Sequence, residues 1–450
     1  MRNDKAQFST RIGVVAVTVG SAVGLGNIWR FPFEAGMHGG GAFLLLNLLF
    51  VFLIGIPVIC AEFIIGRNTG SNVRTAFRKL APGEPWGAVG YIGLLSSVLI
   101  ISFYSVVAGW TMEYIFRSAS GFSGVHSVAG LHDQFDSFAT SDWRPALWTV
   151  IFLLCNYLIL VRGVEKGIEK VSNVLMPALF LILIIFAVRS LTMPAAREGL
   201  EFLFRPDFQK ITPSVVLGAM GQAFFSLSLG LGGLITYASY FNRRTSLVRT
   251  AGITAGLDML VAVLAGVIIF PAVFTFGMEP AAGPELVFEV LPSIFCNMTG
   301  SIFWSTLFFI LLFLASLTST ISMSEIQIAY LMEEKGMGRR KATNVAVLIA
   351  AGLGVLCALS FGSLSGLRVF GMTLFGLFDY LASNILLPLG GMLISLFVGW
   401  RLKREIVDNE LLYGRKTIFR RMVICAIMFS LRYVAPACIL LVFLFGLGIF

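Results

Sequence analysis

Apolar runs long enough to cross a bilayer recur from one end of this chain to the other. They lie at roughly 12–36, 42–65, 88–116, 147–161, 168–190, 214–240, 250–277, 300–331, 343–361, 367–399 and 422–450, near or above the ~20 residues a spanning helix needs. Backbone in hydrocarbon must satisfy its own hydrogen bonds, so such runs fold as helices. The expected fold class is an all-α polytopic membrane protein with about eleven transmembrane helices. Composition agrees: 57% of the residues are hydrophobic and 13% charged, against about 25% charged in soluble domains. The first run follows Arg2, Lys5 and Arg11 without a small-residue cleavage site, and it is too long for a signal-peptide core.

The net charge of +9 is not a nucleic-acid signature, because the basic residues sit in alternate loops. They include Arg67, Arg74, Arg78 and Lys79; Arg162, Lys166 and Lys170; Arg243, Arg244 and Arg249; Lys335, Arg339, Arg340 and Lys341; and Arg401 to Arg421. The positive-inside rule puts these loops and the N-terminus in the cytoplasm, and about eleven spans then put the C-terminus outside. The loop Met278 to Pro292 carries Glu279, Glu285 and Glu289 and no Lys or Arg, as an outer loop should. The expected location is a membrane with these loops on its cytoplasmic side, with the lipid bilayer as a partner and no nucleic acid. The six cysteines fall mostly within apolar runs and read as small hydrophobes, and His38, His126 and His132 lack metal-ligand spacing.

The first run contains VGSAVGLGNIWR, Val19 to Arg30. Gly20, Gly24 and Gly26 break a helix where lipid-facing backbone has no use for a break. Irregular backbone is tolerated at membrane depth only where it is buried in protein or lines a cavity. There, freed carbonyls can hold a cation and freed N–H groups an anion. Close helix packing through small residues is the other reading of the glycines; Asn27 and Arg30 in the same segment favour a site. The sixth run repeats the pattern with Leu229-Gly230-Leu231-Gly232-Gly233 beside Ser226 and Ser228. Five helices separate each broken segment from its counterpart, and an odd number of spans inverts the second copy. Paired glycine breaks in inverted halves point to a transporter binding site at the repeat interface. The organisation expected is one membrane domain over 1–450, with repeat one about 10–190, repeat two about 212–400 and an extra helix about 420–450.

Ionisable groups inside the membrane need a partner or a role. Glu62 is placed to accept hydrogen bonds from unwound backbone. Asp258 reads as an ion ligand or proton carrier, or as a packing hydrogen bond. Asp379 is placed to pair with Arg30 across an outer vestibule, and Glu325 has no evident partner. Ala315, Thr318 and Ser319 offer a carbonyl and two hydroxyls within one turn, hard oxygens that suit Na⁺ or, equally, interhelical hydrogen bonding. Gly167 and Pro177 in the fifth run mark a stretch that can open, or a simple proline kink.

These residues carry a resemblance. SAVGLGNIWRFP (Ser21 to Pro32), HGGGAF (His38 to Phe43), GIPVICAEFIIGR (Gly55 to Arg67), GQAFFSLSLGLGGLITYASY (Gly221 to Tyr240), GPELVFEVLP (Gly283 to Pro292), LASLTSTIS (Leu314 to Ser322) and RYVAPA (Arg432 to Ala437) resemble the neurotransmitter:sodium symporter family, especially its bacterial LeuT-like amino-acid members. The resemblance covers essentially the whole chain and implies the bacterial cytoplasmic (inner) membrane as its location. It implies a 5+5 inverted repeat with helices one and six unwound at mid-membrane, no enzymatic activity, and two Na⁺ sites. One site resembles the Ala22 carbonyl, Asn27, Ser226, Asp258 and the substrate carboxylate. The other resembles the carbonyls of Gly20, Val23 and Ala315 with the hydroxyls of Thr318 and Ser319.

The resemblance also implies that an amino-acid carboxylate meets the N–H groups of Leu25 and Gly26 and the Tyr104 hydroxyl. Its amine would meet carbonyls near Ala22, Phe225 and Ser226. Its side chain would lie among Val23, Ile100, Phe225, Ser228, Leu231, Ser319 and Met323. Tyr104 and Phe225 would form the outer lid, Arg30 and Asp379 an outer ion pair, and Lys5, Phe8, Tyr240 and Glu333 an inner gate. Lys5 and Phe8 depart from the Arg and Trp usual there. Monoamine carriers place an Asp at the position of Gly24, so this chain implies a substrate bringing its own carboxylate. Asp258 beside the first Na⁺ implies chloride-independent transport, with Ala262 where other bacterial members have Glu. The implied activity is sodium-coupled import of a hydrophobic amino acid by alternating access. A channel is disfavoured by the aromatic lid and discontinuous polar residues, and an intramembrane enzyme by the lack of a nucleophile or metal motif. A transport-inactive amino-acid sensor shares every binding residue.

Overall fold

Thr10 starts the first span by capping it. Its hydroxyl oxygen accepts from the Gly13 N–H at 2.9 Å, satisfying one of the orphan donors of a helix start. The computed structural model describes residues 7–125, 127–277, 287, 288, 291–296, 298–412 and 418–449. Lys5 and most of the Met278 to Pro292 loop lie outside the described residues. Those described are helical apart from loops and one isolated bridge between Val369 and Met372.

Among the described residues, eight continuous helices are long and apolar enough to cross a membrane, or ten if each of two bent pairs is one span. Span one is such a pair, Arg11–Ala22 and Gly26–Met37, bent by 57°. Spans two and three are Gly41–Thr69 and Gly87–Ala119. Span four, Arg144–Leu160, follows the helix Val128–Ala139 across a 75° bend. Span five is Val164–Leu191 and span seven Leu247–Thr275. Spans eight to eleven are Ser301–Lys335, Arg339–Leu359, Leu374–Arg401 and Arg420–Gly446. Between spans five and seven lie Pro213–Ser226 and Gly233–Ala238, split by a six-residue break over 227–232. Counted together as span six, they fit the eleven spans expected.

The break in span six has a local cause. Gly230 and Gly232 take φ of 85° and 80°, a left-handed conformation that glycine alone adopts freely. Ser228 also sits there, at φ 51°, which costs a residue with a side chain on the order of 1–2 kcal/mol. The surroundings hold it: the Gly230 N–H donates to Glu62 Oε1 at 2.9 Å, so the buried carboxylate of span two does accept from unwound backbone.

Both halves of each broken span are buried against spans two, three, seven and eight, whose central residues form one apolar core. Leucines and valines on the outer faces of spans three, four, five and nine stay exposed. That is the inverse of a soluble helix bundle and the pattern a bilayer solvates.

Candidate functional site

The bend in span one turns polar backbone toward a buried carboxylate. A continued helix would direct the Gly24 N–H to the Gly20 carbonyl; instead it donates to Asn27 Oδ1 at 3.0 Å. Asn27 Nδ2 in turn donates to Asp258 Oδ1 at 2.7 Å and to Ser226 Oγ at 2.8 Å. The Ser226 hydroxyl donates to Asp258 Oδ2 at 2.7 Å. Asn27, Ser226 and Asp258 are all buried, so spans one, six and seven converge on one negative charge with no basic side chain among these bonds.

A second cluster lies behind the break. The Ser319 hydroxyl donates to the Val23 carbonyl at 2.9 Å, and Thr318 Oγ1 donates to the Ala315 carbonyl at 3.0 Å. Gly20 is packed so closely on Thr318 that an added Cβ would lie 3.3 Å from the threonine Cβ. Gly20, Val23, Ala315, Thr318 and Ser319 thus meet between spans one and eight. Carbonyls, hydroxyls and one carboxylate are hard oxygen donors, suited to Na⁺, Mg²⁺ or Ca²⁺ rather than to a transition metal. With a single carboxylate between the two clusters, the donor set fits a monovalent ion best. Among the described residues no group of three His, Cys, Asp or Glu could hold a metal.

A cavity of ≈ 40 Å³ lies beside both clusters, with Ala22, Gly24, Gly26, Asn27, Ile100, Tyr104, Phe225, Ser226, Ser228, Leu231, Ser319 and Met323 in its wall. Val23 and Leu25 are not in the wall; Leu25 contributes its N–H, which donates to the Tyr104 hydroxyl oxygen at 2.9 Å. Leu387 also lines the cavity, and nothing in the leucine-rich sequence of span ten marked it. Gly24 has little room for a side chain. A Cβ there would lie 2.7 Å from Ser319 Oγ and 2.9 Å from the Tyr104 hydroxyl.

The sequence profile of the sodium:neurotransmitter symporter family matches residues 5–124 and 125–450. The chain is 39% identical over 446 residues to the uncharacterized sodium-dependent transporter YhdH of Bacillus subtilis (strain 168), and 38% identical over 453 residues to an uncharacterized sodium-dependent transporter of Haemophilus influenzae. It covers 98% of each of those proteins and 98% of itself in both comparisons. Among solved structures it is similar to MhsT in complex with L-phenylalanine, with a TM-score of 0.89, 42% identity, and coverage of 98% of this chain and 99% of that one. This chain belongs to the sodium:neurotransmitter symporter family. It is an integral membrane transporter, sodium-dependent like its relatives, and not an enzyme.

The gates expected of a symporter of this family are only partly assembled here. At the expected outer gate, the Arg30 guanidinium lies over the Phe225 ring, 4.2 Å from its centroid, and Arg30 Nε is 3.7 Å from Glu34 Oε1. No ion pair within 4 Å joins Arg30 to Asp379, which accepts from Ser383 Oγ at 2.8 Å. In this structure the Phe225 ring and Glu34 are the groups that meet the guanidinium. At the expected inner gate, the Phe8 N–H donates to the Tyr240 carbonyl at 3.1 Å and the two rings meet edge-on at 5.9 Å. Glu333 accepts from the Asn72 N–H at 2.7 Å.

Glu325, partnerless in the sequence, is fully buried and held by both terminal nitrogens of Arg339, at 2.7 and 2.6 Å, and by the Tyr240 hydroxyl at 2.8 Å. Gly167 is wound into a wide π-helical turn, Val164–Glu169, and Pro177 lies inside the helix that follows. A Cβ on Gly167 would lie 2.2 Å from the Ile159 carbonyl, so this turn can be wound against span four only with glycine there.

Proposed function

We propose that this protein is a Na⁺-coupled symporter that imports a hydrophobic L-amino acid through a chloride-independent cycle of alternating access. The observation that carries the substrate class is Gly24. An acidic side chain there would collide with Ser319 and Tyr104, so the negative charge that completes the site must arrive with the substrate. A carboxylate fits beside the Leu25 N–H and the Tyr104 hydroxyl, and an ammonium fits near the Ala22 and Phe225 carbonyls. The apolar wall of Ile100, Leu231, Met323 and Leu387 favours a large aliphatic or aromatic side chain, with methionine able to adapt to either. The structure of MhsT with L-phenylalanine, at 42% identity, supports that choice.

In this reading Ala22, Asn27, Ser226 and Asp258 hold one Na⁺ with the substrate carboxylate. Gly20, Val23, Ala315, Thr318 and Ser319 hold a second. The N-terminus and the basic loops are cytoplasmic, the C-terminus is outside, and a bundle of spans one, two, six and seven, drawn from both repeats (10–190 and 212–400), moves against the scaffold of the other spans around the site. Binding closes Tyr104 and Phe225 over the substrate. Inward opening parts Phe8 from Tyr240 and unwinds span five between Gly167 and Pro177, hydrating the second ion. The membrane potential drives each ion with about 2.3 kcal/mol per charge per 100 mV. Asp258 supplies the fixed charge that makes chloride unnecessary, so replacing external chloride by gluconate leaves uptake unchanged; loss of uptake would contradict this.

The direct test is thermal stability of the purified protein against each common amino acid, in Na⁺ and then in K⁺. A ligand that binds the folded state raises the melting temperature by mass action. Leu, Phe, Tyr or Trp should do so in Na⁺ only, ahead of Gly and Ala. No shift with any amino acid would remove the argument from Gly24.

A further inference from the structure

The transport site and its gates leave one basic groove unused. Val73–Leu80 is a short amphipathic helix between spans two and three. Val73, Ala76 and Phe77 are buried, while Arg78 and Lys79 are exposed. With the loop 81–86 and the first turn of span three, it walls a groove of ≈ 680 Å³ lined by Arg74, Arg78, Lys79, Gly83, Glu84 and Tyr91, among others.

The charges in the groove do not cancel. Arg74 Nη1 is bound by Glu334 Oε2 at 2.5 Å, but its Nε is buried with no hydrogen-bond partner. Arg78 reaches the same carboxylate only at 3.6 Å. Lys79 Nζ donates to Ser71 Oγ at 2.6 Å and the Thr69 carbonyl at 3.4 Å, with no carboxylate within 4 Å among the described residues. Glu84 is already taken by the Arg401 guanidinium, whose hydrogen bonds hold its carboxyl below its ordinary value. Two exposed cations, Arg78 and Lys79, therefore face the same space beside Arg74.

An apolar track leaves the groove along span three. Tyr91 and Leu95, one turn apart, are 46% and 50% exposed, and the Arg74 guanidinium lies 4.6 Å above the Tyr91 ring. A cationic pocket that opens onto a lipid-facing stripe matches a molecule with an anionic head and a hydrocarbon tail. We propose that this groove binds an anionic phospholipid, its phosphate among Arg74, Arg78 and Lys79 and an acyl chain along Tyr91 and Leu95. Basic pockets at the cytoplasmic ends of spans suit such headgroups, and the assignment to the inner leaflet rests on the orientation proposed above. The apolar track is what favours a lipid over a free phosphate.

Native mass spectrometry of the detergent-purified full chain, titrated with phosphatidylglycerol or phosphatidylcholine, tests this. One phosphatidylglycerol should be retained in preference to phosphatidylcholine, and R78A/K79A should weaken it by about fivefold per cation, roughly 25-fold in all. The charge-conserving R78K/K79R should retain it, which separates lost binding from misfolding. R243A/R244A, in another basic loop, should leave it unchanged. Equal retention by R78A/K79A, or an equal loss in R243A/R244A, would overturn the proposal. So would a site saturated by inorganic phosphate or glycerol phosphate with no preference for the lipid.

Discussion

Asn27 Nδ2 and Asp258 Oδ1 are 2.7 Å apart, a contact that ties the broken part of span one to the middle of span seven. A buried carboxylate this close to unwound backbone reads as half of a cation site. Asp258→Asn keeps the shape and removes the charge. The half-saturating Na⁺ concentration for ligand-induced stabilisation should rise at least roughly 10–100-fold, the range seen when groups supporting a metal site are lost. The check is a Na⁺ titration of the melting temperature with a saturating amino acid; an unchanged Na⁺ dependence would place the ion elsewhere.

Gly24→Asp puts a carboxylate where the substrate's own is expected. Like charges brought together cost several kcal/mol, so affinity for every amino acid should fall by about a hundredfold or more. Binding measured by scintillation proximity or thermal shift decides it. Retained amino-acid binding would show that the carboxylate lies away from Gly24.

Breaking the buried Glu325–Arg339 pair should be severe, because a partner left behind is an uncompensated charge. Glu325→Gln is expected to cost about 3–5 kcal/mol, and pairing it with Arg339→Met should recover part of that. Melting temperatures of both variants give the comparison. A double variant less stable than the single one would mean Arg339 acts through other contacts, such as its Nε donation to the Leu160 carbonyl at 3.0 Å.

His38, on the loop after span one, stacks on Phe43 and has Nδ1 3.3 Å from Glu34 Oε2. Its bond to the Glu34 carboxylate raises its pKa above the ordinary 6.5. A raised folded-state value means stabilisation that is fully present below pH 6.5 and lost as pH climbs through the higher folded value. Melting temperature should thus fall as pH rises from below 6.5 through the neutral range, and His38→Gln should flatten that decline. An equally steep decline in the variant would assign it to another group.

Much of this was legible before any coordinates. Glycines within apolar runs, with Asn27 and Arg30 among them, favour broken spans over close helix packing, and most of the cavity wall follows from the resemblance carried by the motifs around Gly24, Phe225 and Ser319. What the sequence hid depends on how spans pack. Leu387 is one leucine among many until span ten is laid against span six. Glu325 finds Arg339 only because spans eight and nine turn back on each other at Gly336, which takes φ 63° at the end of span eight. Arg30 has Glu34, at 3.7 Å, within ion-pair range and Asp379 beyond it, a choice set by how spans one and ten are placed.

Uptake into proteoliposomes under an imposed gradient tests sodium-coupled amino-acid symport most directly. With Na⁺ outside and K⁺ inside, radiolabelled phenylalanine or leucine should accumulate above its external concentration, faster with an inside-negative potential, and leak back when monensin collapses the Na⁺ gradient. Equal accumulation with K⁺ on both sides, or sodium-dependent binding without any accumulation, would contradict the account.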